Sequence, residues 1–267
     1  MNNPLGLYAG FYRSMTVDNW GQAREAGFTN VELGIPGQAP LEEALAEADA
    51  QYSVFEEAGV RVGSVHLPFG KDLDPSLLDE EALSEAKSLY RSMLDWAGAK
   101  GIGIAVIHGS FEPIPEIERS ERLARAAESI RELGLYAEGQ GVTLAVENLP
   151  RTCLGNCAAE LLRMTDHGRS AKICFDVNHL FIESHKEFYT QVSDHVVTTH
   201  LSDYDGVDEK HWLVGDGVID WQELVRLFRA ARYEGCFLFE LDEDASPKLG
   251  RPFTAEELRT RLVEAIQ

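Results

Sequence analysis

The chain has 267 residues, of which 44% are hydrophobic and 26% are charged, and its formal net charge at pH 7 is −21. This composition is that of a globular protein and excludes collagen-like, low-complexity and largely disordered chains. The negative charge disfavours binding to phosphate backbones and anionic membranes, so we expect neither a nucleic-acid partner nor a membrane partner.

Targeting segments are not evident in the sequence. No apolar run approaches the roughly 20 residues that cross a bilayer. Residues 1–4 lack the basic region and the apolar stretch that begin a signal peptide. The four cysteines are too few for a disulfide framework in a chain of this length. We therefore expect a cytoplasmic protein.

Short apolar segments alternate with amphipathic segments along the chain. Eight apolar segments have the near-continuous Val, Ile, Leu, Phe and Ala content of parallel strands that are covered on both faces. In chain order they are residues 5–9, 30–33, 60–66, 102–108, 142–147, 172–176, 195–200 and 236–240. Between them, apolar residues recur with the 3.6-residue period of a helix, as over 41–55, 83–97 and 123–137.

Capping residues and helix-ending glycines lie between these segments. Thr16 and Asp220 are candidate N-caps, and Thr254 with Glu257 has the spacing of a capping box. Glycines that mark helix ends precede the strand segments at Gly27, Gly59, Gly101, Gly141 and Gly235. Eight strands, each followed by a helix, predict an α/β protein with one domain, a (β/α)8 TIM barrel over residues 1–267. A doubly wound open sheet is the alternative, although no G-x-G-x-x-G motif follows the first strand.

Six consecutive strand segments end in a residue that can bind a metal or transfer a proton. These residues are His66, His108, Glu147, Asp176, His200 and Glu240. In a parallel barrel the C-terminal ends of all strands open on one face, where the active site lies. Carboxylates and imidazoles that meet there repel or compete unless a cation binds between them. The last four residues predict one divalent metal ion, with Mn²⁺ favoured and Mg²⁺, Co²⁺ or Zn²⁺ as alternatives.

The strand ends also carry short motifs that together resemble a known family. The motifs are Val65-His66, Val106-Ile107-His108-Gly109, Ala145-Val146-Glu147-Asn148, Cys174-Phe175-Asp176-Val177-Asn178-His179, Thr199-His200-Leu201-Ser202-Asp203, Gly215-Asp216-Gly217-Val218-Ile219-Asp220-Trp221 and Phe239-Glu240. The chain resembles the xylose isomerase-like TIM barrel superfamily, in its sugar phosphate isomerase/epimerase branch. That branch is related to ketose 3-epimerases, hydroxypyruvate isomerase, inosose dehydratase and the type IV endonucleases. The motifs do not specify the substrate, because loops select it on a shared barrel.

The resemblance implies that Glu147, Asp176, His200 and Glu240 bind the metal, and that Glu147 and Glu240 also act as acid and base. The expected activity is isomerisation or epimerisation of a small sugar, sugar phosphate or keto-acid. A Lewis-acidic ion that holds a carbonyl and the neighbouring hydroxyl makes the α-hydrogen more acidic. One glutamate would remove this proton to give a metal-stabilised enediolate, and the other would return a proton.

Four further residues are candidate substrate contacts. His66 and His108 are interpreted as pocket walls or hydrogen-bond donors, with a second metal site as the alternative. His179 resembles the substrate-contacting histidine of the family. Ketose 3-epimerases usually carry an arginine shortly after the strand-seven histidine, but residues 201–206 contain none. Arg151 is the candidate that would hold a substrate carboxylate or phosphate instead.

Other functions stay open on the same scaffold. A lyase or dehydratase would eliminate a β-hydroxyl from the same intermediate, and a non-catalytic sugar-binding barrel would not require two opposed glutamates. A hydrolase similar to the type IV endonucleases would use three metals on abasic DNA. The Asp-x-His motif of those enzymes is replaced here by Asp208-x-x-His211. We interpret this loop as a lid, with the remnant of a further metal site as the alternative. The expected partner is a small-molecule carbohydrate, and a homo-oligomer is not excluded.

Glu32, at the end of the second strand segment, has two interpretations. Its side chain either reaches the mouth of the barrel or forms a structural salt bridge.

Overall fold

Eight strands form one closed parallel ring in the computed structural model, which describes residues 3–267. In chain order the strands are β1 (Leu5–Tyr8), β2 (Phe28–Gly34), β3 (Arg61–His66), β4 (Ile104–His108), β5 (Thr143–Glu147), β6 (Lys172–Asp176), β7 (Val196–Leu201) and β8 (Phe237–Phe239). Each strand pairs in parallel with the next, and β8 pairs with β1. The closed ring confirms the TIM barrel prediction and excludes the open sheet.

Eight α-helices follow the strands within residues 3–267. They are α1 (Val17–Glu25), α2 (Leu41–Ala58), α3 (Glu80–Ala99), α4 (Glu116–Gly139), α5 (Ala158–Met164), α6 (His185–Val192), α7 (Trp221–Ala230) and α8 (Ala255–Ala265). The predicted caps are present: the side chains of Thr16 and Asp220 accept backbone hydrogen bonds, and Thr254 with Glu257 forms a capping box. Across the same residues, no helix combines the length and apolar character needed to cross a membrane.

Most strand boundaries differ from the predicted segments by one or two residues, and two of these differences are instructive. β2 begins at Phe28, two residues before the predicted segment, because Thr29 is exposed and Asn30 is half-buried, so the start of this strand lacks a continuous apolar run. β8 ends at Phe239, yet the backbone N–H of Glu240 still donates to the carbonyl of Leu201. Glu240 is therefore held at the end of β8 beside β7.

The strand faces separate the core into two parts. The larger cluster includes Ile107, Val146 and Phe175, which alternate with the smaller cluster of Val106, Ala145 and Cys174. Because side chains alternate across a strand, the smaller cluster shares its face with His108, Glu147 and Asp176, two residues further along the same strands. These apolar residues thus lie directly beneath the candidate site.

The loop from β7 to α7 is organised by one buried carboxylate. Asp203 Oδ1 accepts hydrogen bonds from the backbone N–H groups of Tyr204 and Ile219, and Oδ2 accepts from Gly215 N and Trp221 Nε1. Asp203 is fully buried and also forms a backbone bridge with Trp212. This anchoring fixes the path of residues 204–220 over the mouth of the barrel.

Candidate metal centre

Four of the predicted residues converge at the C-terminal end of the barrel. One donor atom from each of Glu147, Asp176, His200 and Glu240 lies within 4.8 Å of the others. His200 Nδ1 is 3.3 Å from Glu147 Oε1 and 3.0 Å from Glu240 Oε2. Glu147, Asp176 and His200 are buried, whereas the side chain of Glu240 is 20% exposed. The structure brings this set together, and its role as a ligand set stays a prediction.

Unpaired buried atoms indicate that this group fits a cation. Within residues 3–267, Asp176 Oδ2, His200 Nδ1 and Glu240 Oε2 are buried without a hydrogen-bond partner. His200 Nδ1 and Glu240 Oε2 lie 3.0 Å apart but do not form a hydrogen bond with each other. Buried polar atoms are rarely left unpaired in proteins. Three carboxylates and one imidazole are donors that suit a hard or borderline divalent ion.

Glu32 lies directly behind His200. Its Oε1 is 2.8 Å from His200 Nε2, and its Oε2 accepts the Ser64 hydroxyl at 2.7 Å. Both Glu32 and His200 are fully buried. A carboxylate that accepts the Nε2 proton leaves Nδ1 free to face a metal. Of the two interpretations of Glu32, the structure therefore favours a structural contact, made with a residue of the candidate centre.

His66 and His108 flank the second oxygen of Glu147. Their Nε2 atoms each lie 3.2 Å from Glu147 Oε2. Burial lowers the pKa of His108, whereas the hydrogen bond and charge of Glu147 outweigh burial at His66 and raise its pKa. Phe69 stacks on the His108 ring with a centroid distance of 3.9 Å. Donor atoms of the two histidines and Glu147 lie within 4.8 Å of one another, so the second-metal alternative also stays open.

A third group on the opposite side of Glu147 includes a residue that sequence analysis missed. His179 Nδ1 is 3.2 Å from Glu147 Oε1, and His179 Nε2 is 3.4 Å from Glu209 Oε1. His211 Nε2 is 3.0 Å from the same Glu209 oxygen. The sequence singled out Asp208 and His211 in this loop, whereas the carboxylate that contacts His211 belongs to Glu209. The spacing Glu209-x-His211 is the signal that could have found it.

Arg151 is already paired with carboxylates. Its guanidinium contacts Glu112 at 2.5 Å, Asp208 at 3.0 Å and Glu209 at 3.1 Å. The hydrogen bond to Glu112 raises the pKa of Arg151 further above its ordinary value. A substrate anion would have to displace these partners. The predicted role of Arg151 in anion binding gains no support from this arrangement and stays a prediction.

Protons balance the negative charge of the centre when no cation is bound. Burial raises the pKa of Asp176 to about 7. Burial would also raise the pKa of Glu147 and Glu240, but the charge of His200 reverses this effect. The pKa of Glu147 consequently lies well below its ordinary value, and that of Glu240 falls to about 2. The pKa of His200 is raised despite its burial, because buried anionic groups surround it.

A groove of about 580 Å³ opens beside the centre, above the C-terminal ends of β1, β2 and β3. Its lining includes Tyr8, Arg13, Gly34, His66 and Phe69. A volume of this size is typical of small-molecule sites. The groove therefore provides a path from solvent to the histidine side of the centre.

The profile of the family described as xylose isomerase-like TIM barrel matches residues 20–262. The chain belongs to this family. An uncharacterized protein of Methanocaldococcus jannaschii is 26% identical over 187 residues, which cover 66% of this chain and 63% of that protein. The fructoselysine 3-epimerase of Escherichia coli O157:H7 is 25% identical over 174 residues, which cover 61% of each chain. The aligned region thus spans less than two thirds of the length of either relative.

Solved structures share the barrel over nearly their whole length. A D-psicose 3-epimerase crystallised in the presence of D-fructose has a TM-score of 0.77 at 18% identity and covers 98% of both chains. The 3-keto-D-glucoside 4-epimerase from E. coli has a TM-score of 0.76 at 19% identity and covers 99% of both chains. At these identities the similarity establishes a common fold.

Proposed function

We propose that this protein is a divalent-metal-dependent isomerase or epimerase that acts on a small sugar, sugar phosphate or keto-acid. The observation that carries the proposal is the convergence of Glu147, Asp176, His200 and Glu240 from four consecutive strands. The relationship to fructoselysine 3-epimerase supports a carbohydrate substrate. The donor set of three carboxylates and one imidazole favours Mn²⁺.

The chemistry follows from the two glutamates. Glu147, Asp176, His200 and Glu240 would hold the cation, which would supply Lewis-acid polarisation of a substrate carbonyl. Glu147 and Glu240 come from strands separated by β6 and β7 in the ring, so they approach a substrate from different directions. One glutamate removes a proton from the carbon next to the carbonyl. The other delivers a proton to the opposite face in epimerisation, or to the adjacent carbon in isomerisation.

Three buried or nearly buried histidines would orient the substrate. His66 and His179 are 7% and 5% exposed, and the His108 side chain is 12% exposed, so their ring nitrogens lie in a site with little water. Hydrogen bonds are strong in such surroundings and strongly discriminate against misplaced partners. We assign these histidines to substrate hydroxyls, with access through the groove beside Phe69.

Exchange of substrate hydrogen with D₂O tests the proposal. Mn²⁺-loaded protein is incubated with free ketoses, ketose phosphates, keto-glycosides and keto-acids, and deuterium at carbon is followed by NMR. We expect exchange with at least one substrate class, and a loss of about 10²- to 10⁴-fold in Glu147→Gln and Glu240→Gln. Glu42→Gln, on the exposed start of α2, is the matched control. Absence of exchange across the panel would contradict the proposal, while elimination of water would indicate the dehydratase alternative.

A metal-dependent phosphoester hydrolase is the second candidate. It is favoured by the group of His179, Glu209 and His211, whose donor atoms lie within 4.8 Å of one another beside Glu147. Elemental analysis distinguishes the two candidates, because the isomerase requires one ion per chain and the hydrolase requires more. Cleavage of an abasic duplex by protein with several ions would support the hydrolase, although the charge of −21 disfavours DNA binding.

A further inference from the structure

A buried cysteine lies beneath the candidate metal centre. Cys174 is on β6 two residues before Asp176, so both side chains point to the same face of the strand. It is fully buried, and its backbone pairs across the sheet with Glu147. Two residues along a strand correspond to about 6–7 Å, so Cys174 lies deeper in the barrel than Asp176.

The Cys174 thiol is close to two groups that the proposed centre also uses. The sulfur of Cys174, one carboxylate oxygen of Glu147 and one ring nitrogen of His200 all lie within 4.8 Å of one another. All three residues are at most 1% exposed. His200 Nδ1, which is also assigned to the group with Asp176 and Glu240, is buried without a hydrogen-bond partner within residues 3–267, so this atom is available to one ion held by either group.

The two donor groups differ in chemical character. The group that includes Asp176 and Glu240 offers mostly carboxylate oxygens, which suit hard ions. The group that includes Cys174 offers one sulfur, one imidazole nitrogen and one oxygen. Sulfur and imidazole donors select thiophilic ions, and three protein ligands with an open fourth position are common for Zn²⁺.

We propose that Glu147, Cys174 and His200 form a second, deeper metal position that takes a thiophilic divalent ion such as Zn²⁺ or Cd²⁺. The thiol proton passes to solvent as the bond between Sγ and the metal forms. Because the two positions share Glu147 and His200, an ion in the deeper position excludes the ion held with Asp176 and Glu240. This inference rests on the proposed function only for the metal position formed by Glu147, Asp176, His200 and Glu240. It implies that thiophilic ions compete with Mn²⁺ for the protein.

Cadmium titration of the metal-free, full-length protein tests the deeper position. We expect the wild type to develop ultraviolet sulfur-to-cadmium charge-transfer absorption that saturates at one equivalent. Cys174→Ser should lack this absorption, and Cys236→Ser should keep it, since Cys236 lies at the other end of the barrel, just before β8. A wild type without the absorption, or a Cys174→Ser variant that retains it, would overturn the proposal.

X-ray absorption of the zinc-loaded wild-type protein does not depend on whether Cys174→Ser folds. X-ray absorption at the zinc edge should show one sulfur neighbour at about 2.3 Å. A shell of nitrogen and oxygen neighbours alone would overturn the proposal. In addition, Zn²⁺ should displace Mn²⁺ from the wild type, as followed by the electron paramagnetic resonance of Mn²⁺. Neither readout depends on substrate, so a failure of hydrogen exchange would count against the proposed function and not against this position.

Discussion

Replacement of Glu32 by glutamine should weaken metal binding without removing any proposed ligand. Glu32 Oε1 lies 2.8 Å from His200 Nε2, and Ser64 donates to Oε2 at 2.7 Å, in a fully buried arrangement. The carboxylate fixes the proton of His200 on Nε2 and increases the electron density on Nδ1. Glutamine has nearly the same shape but no charge, so the imidazole loses this support.

The expected magnitude follows from the strength of that contact. A hydrogen bond to a charged group contributes about 1.5–3 kcal/mol, compared with about 0.5–1.5 kcal/mol for a neutral pair. Loss of a carboxylate behind a metal-binding histidine typically reduces metal affinity by about 10- to 100-fold. This range corresponds to about 1.4–2.7 kcal/mol, and its lower end is close to the difference of about 1–1.5 kcal/mol between the two classes of hydrogen bond. We therefore expect the Kd for Mn²⁺ to rise about 10- to 100-fold in Glu32→Gln.

Calorimetric titration of metal-free protein with Mn²⁺ measures this change. Glu42→Gln is the control, because it removes the same charge from an exposed position on α2. Thermal unfolding in the presence of a chelator shows whether each variant is folded. A Kd for folded Glu32→Gln within about twofold of the wild type would refute the assignment of His200 as a ligand supported by Glu32.

Three further outcomes are expected. Removal of Mn²⁺ that is present at 100 times its Kd should reduce the free energy of unfolding by about 2.7 kcal/mol. The Tm measured by calorimetry should fall by about 5–10 °C, and an unchanged Tm would contradict specific binding. Burial raises the pKa of Asp176 to about 7. Below that pH the Asp176 carboxyl of the folded, metal-free protein carries a proton, which the metal must displace. Mn²⁺ affinity should therefore rise by at least about tenfold per pH unit between about pH 5 and 7 and continue to rise above it, because the pKa of His200 is also raised; affinity independent of pH would contradict this. In α4, Gly134→Ala should reduce the free energy of unfolding by about 1–3 kcal/mol, because the added Cβ would clash with the backbone oxygen of Ser170. In Gly139→Ala the added Cβ meets no atom within 4 Å, so this variant should be slightly stabilised. Urea unfolding that ranks the two variants in the opposite order would refute this packing.

The barrel could be predicted because its signals are local. Near-continuous apolar segments marked the strands, and a left-handed glycine such as Gly59 ends its helix where sequence analysis placed the boundary. The start of β2 was missed because the polar residues Thr29 and Asn30 follow Phe28 and interrupt the apolar pattern. The start of β2 is set by the pairing of Phe28 with Leu5 of β1. Such pairing joins residues that are distant in sequence, so a local pattern does not reveal it.

The candidate site could be predicted only in part. Residues such as Asp176 and His200 were found because each ends a strand, and parallel strands end on one face. Glu32 also lies near the end of a strand segment, but its contact with His200 spans 168 residues and required the closed ring. Glu209 lies in a loop whose path depends on Asp203, so its approach to His179 is a tertiary effect.

Anomalous diffraction from crystals of the Mn²⁺-loaded protein would locate the ion relative to the four proposed ligands. Data collected at the manganese edge should show one strong peak per chain, bounded by Glu147, Asp176, His200 and Glu240. The Mn–O and Mn–N distances should be near 2.2 Å, between the values typical of Mg²⁺ and Ca²⁺. A peak elsewhere in the molecule, or no peak in protein loaded with excess Mn²⁺, would contradict the account.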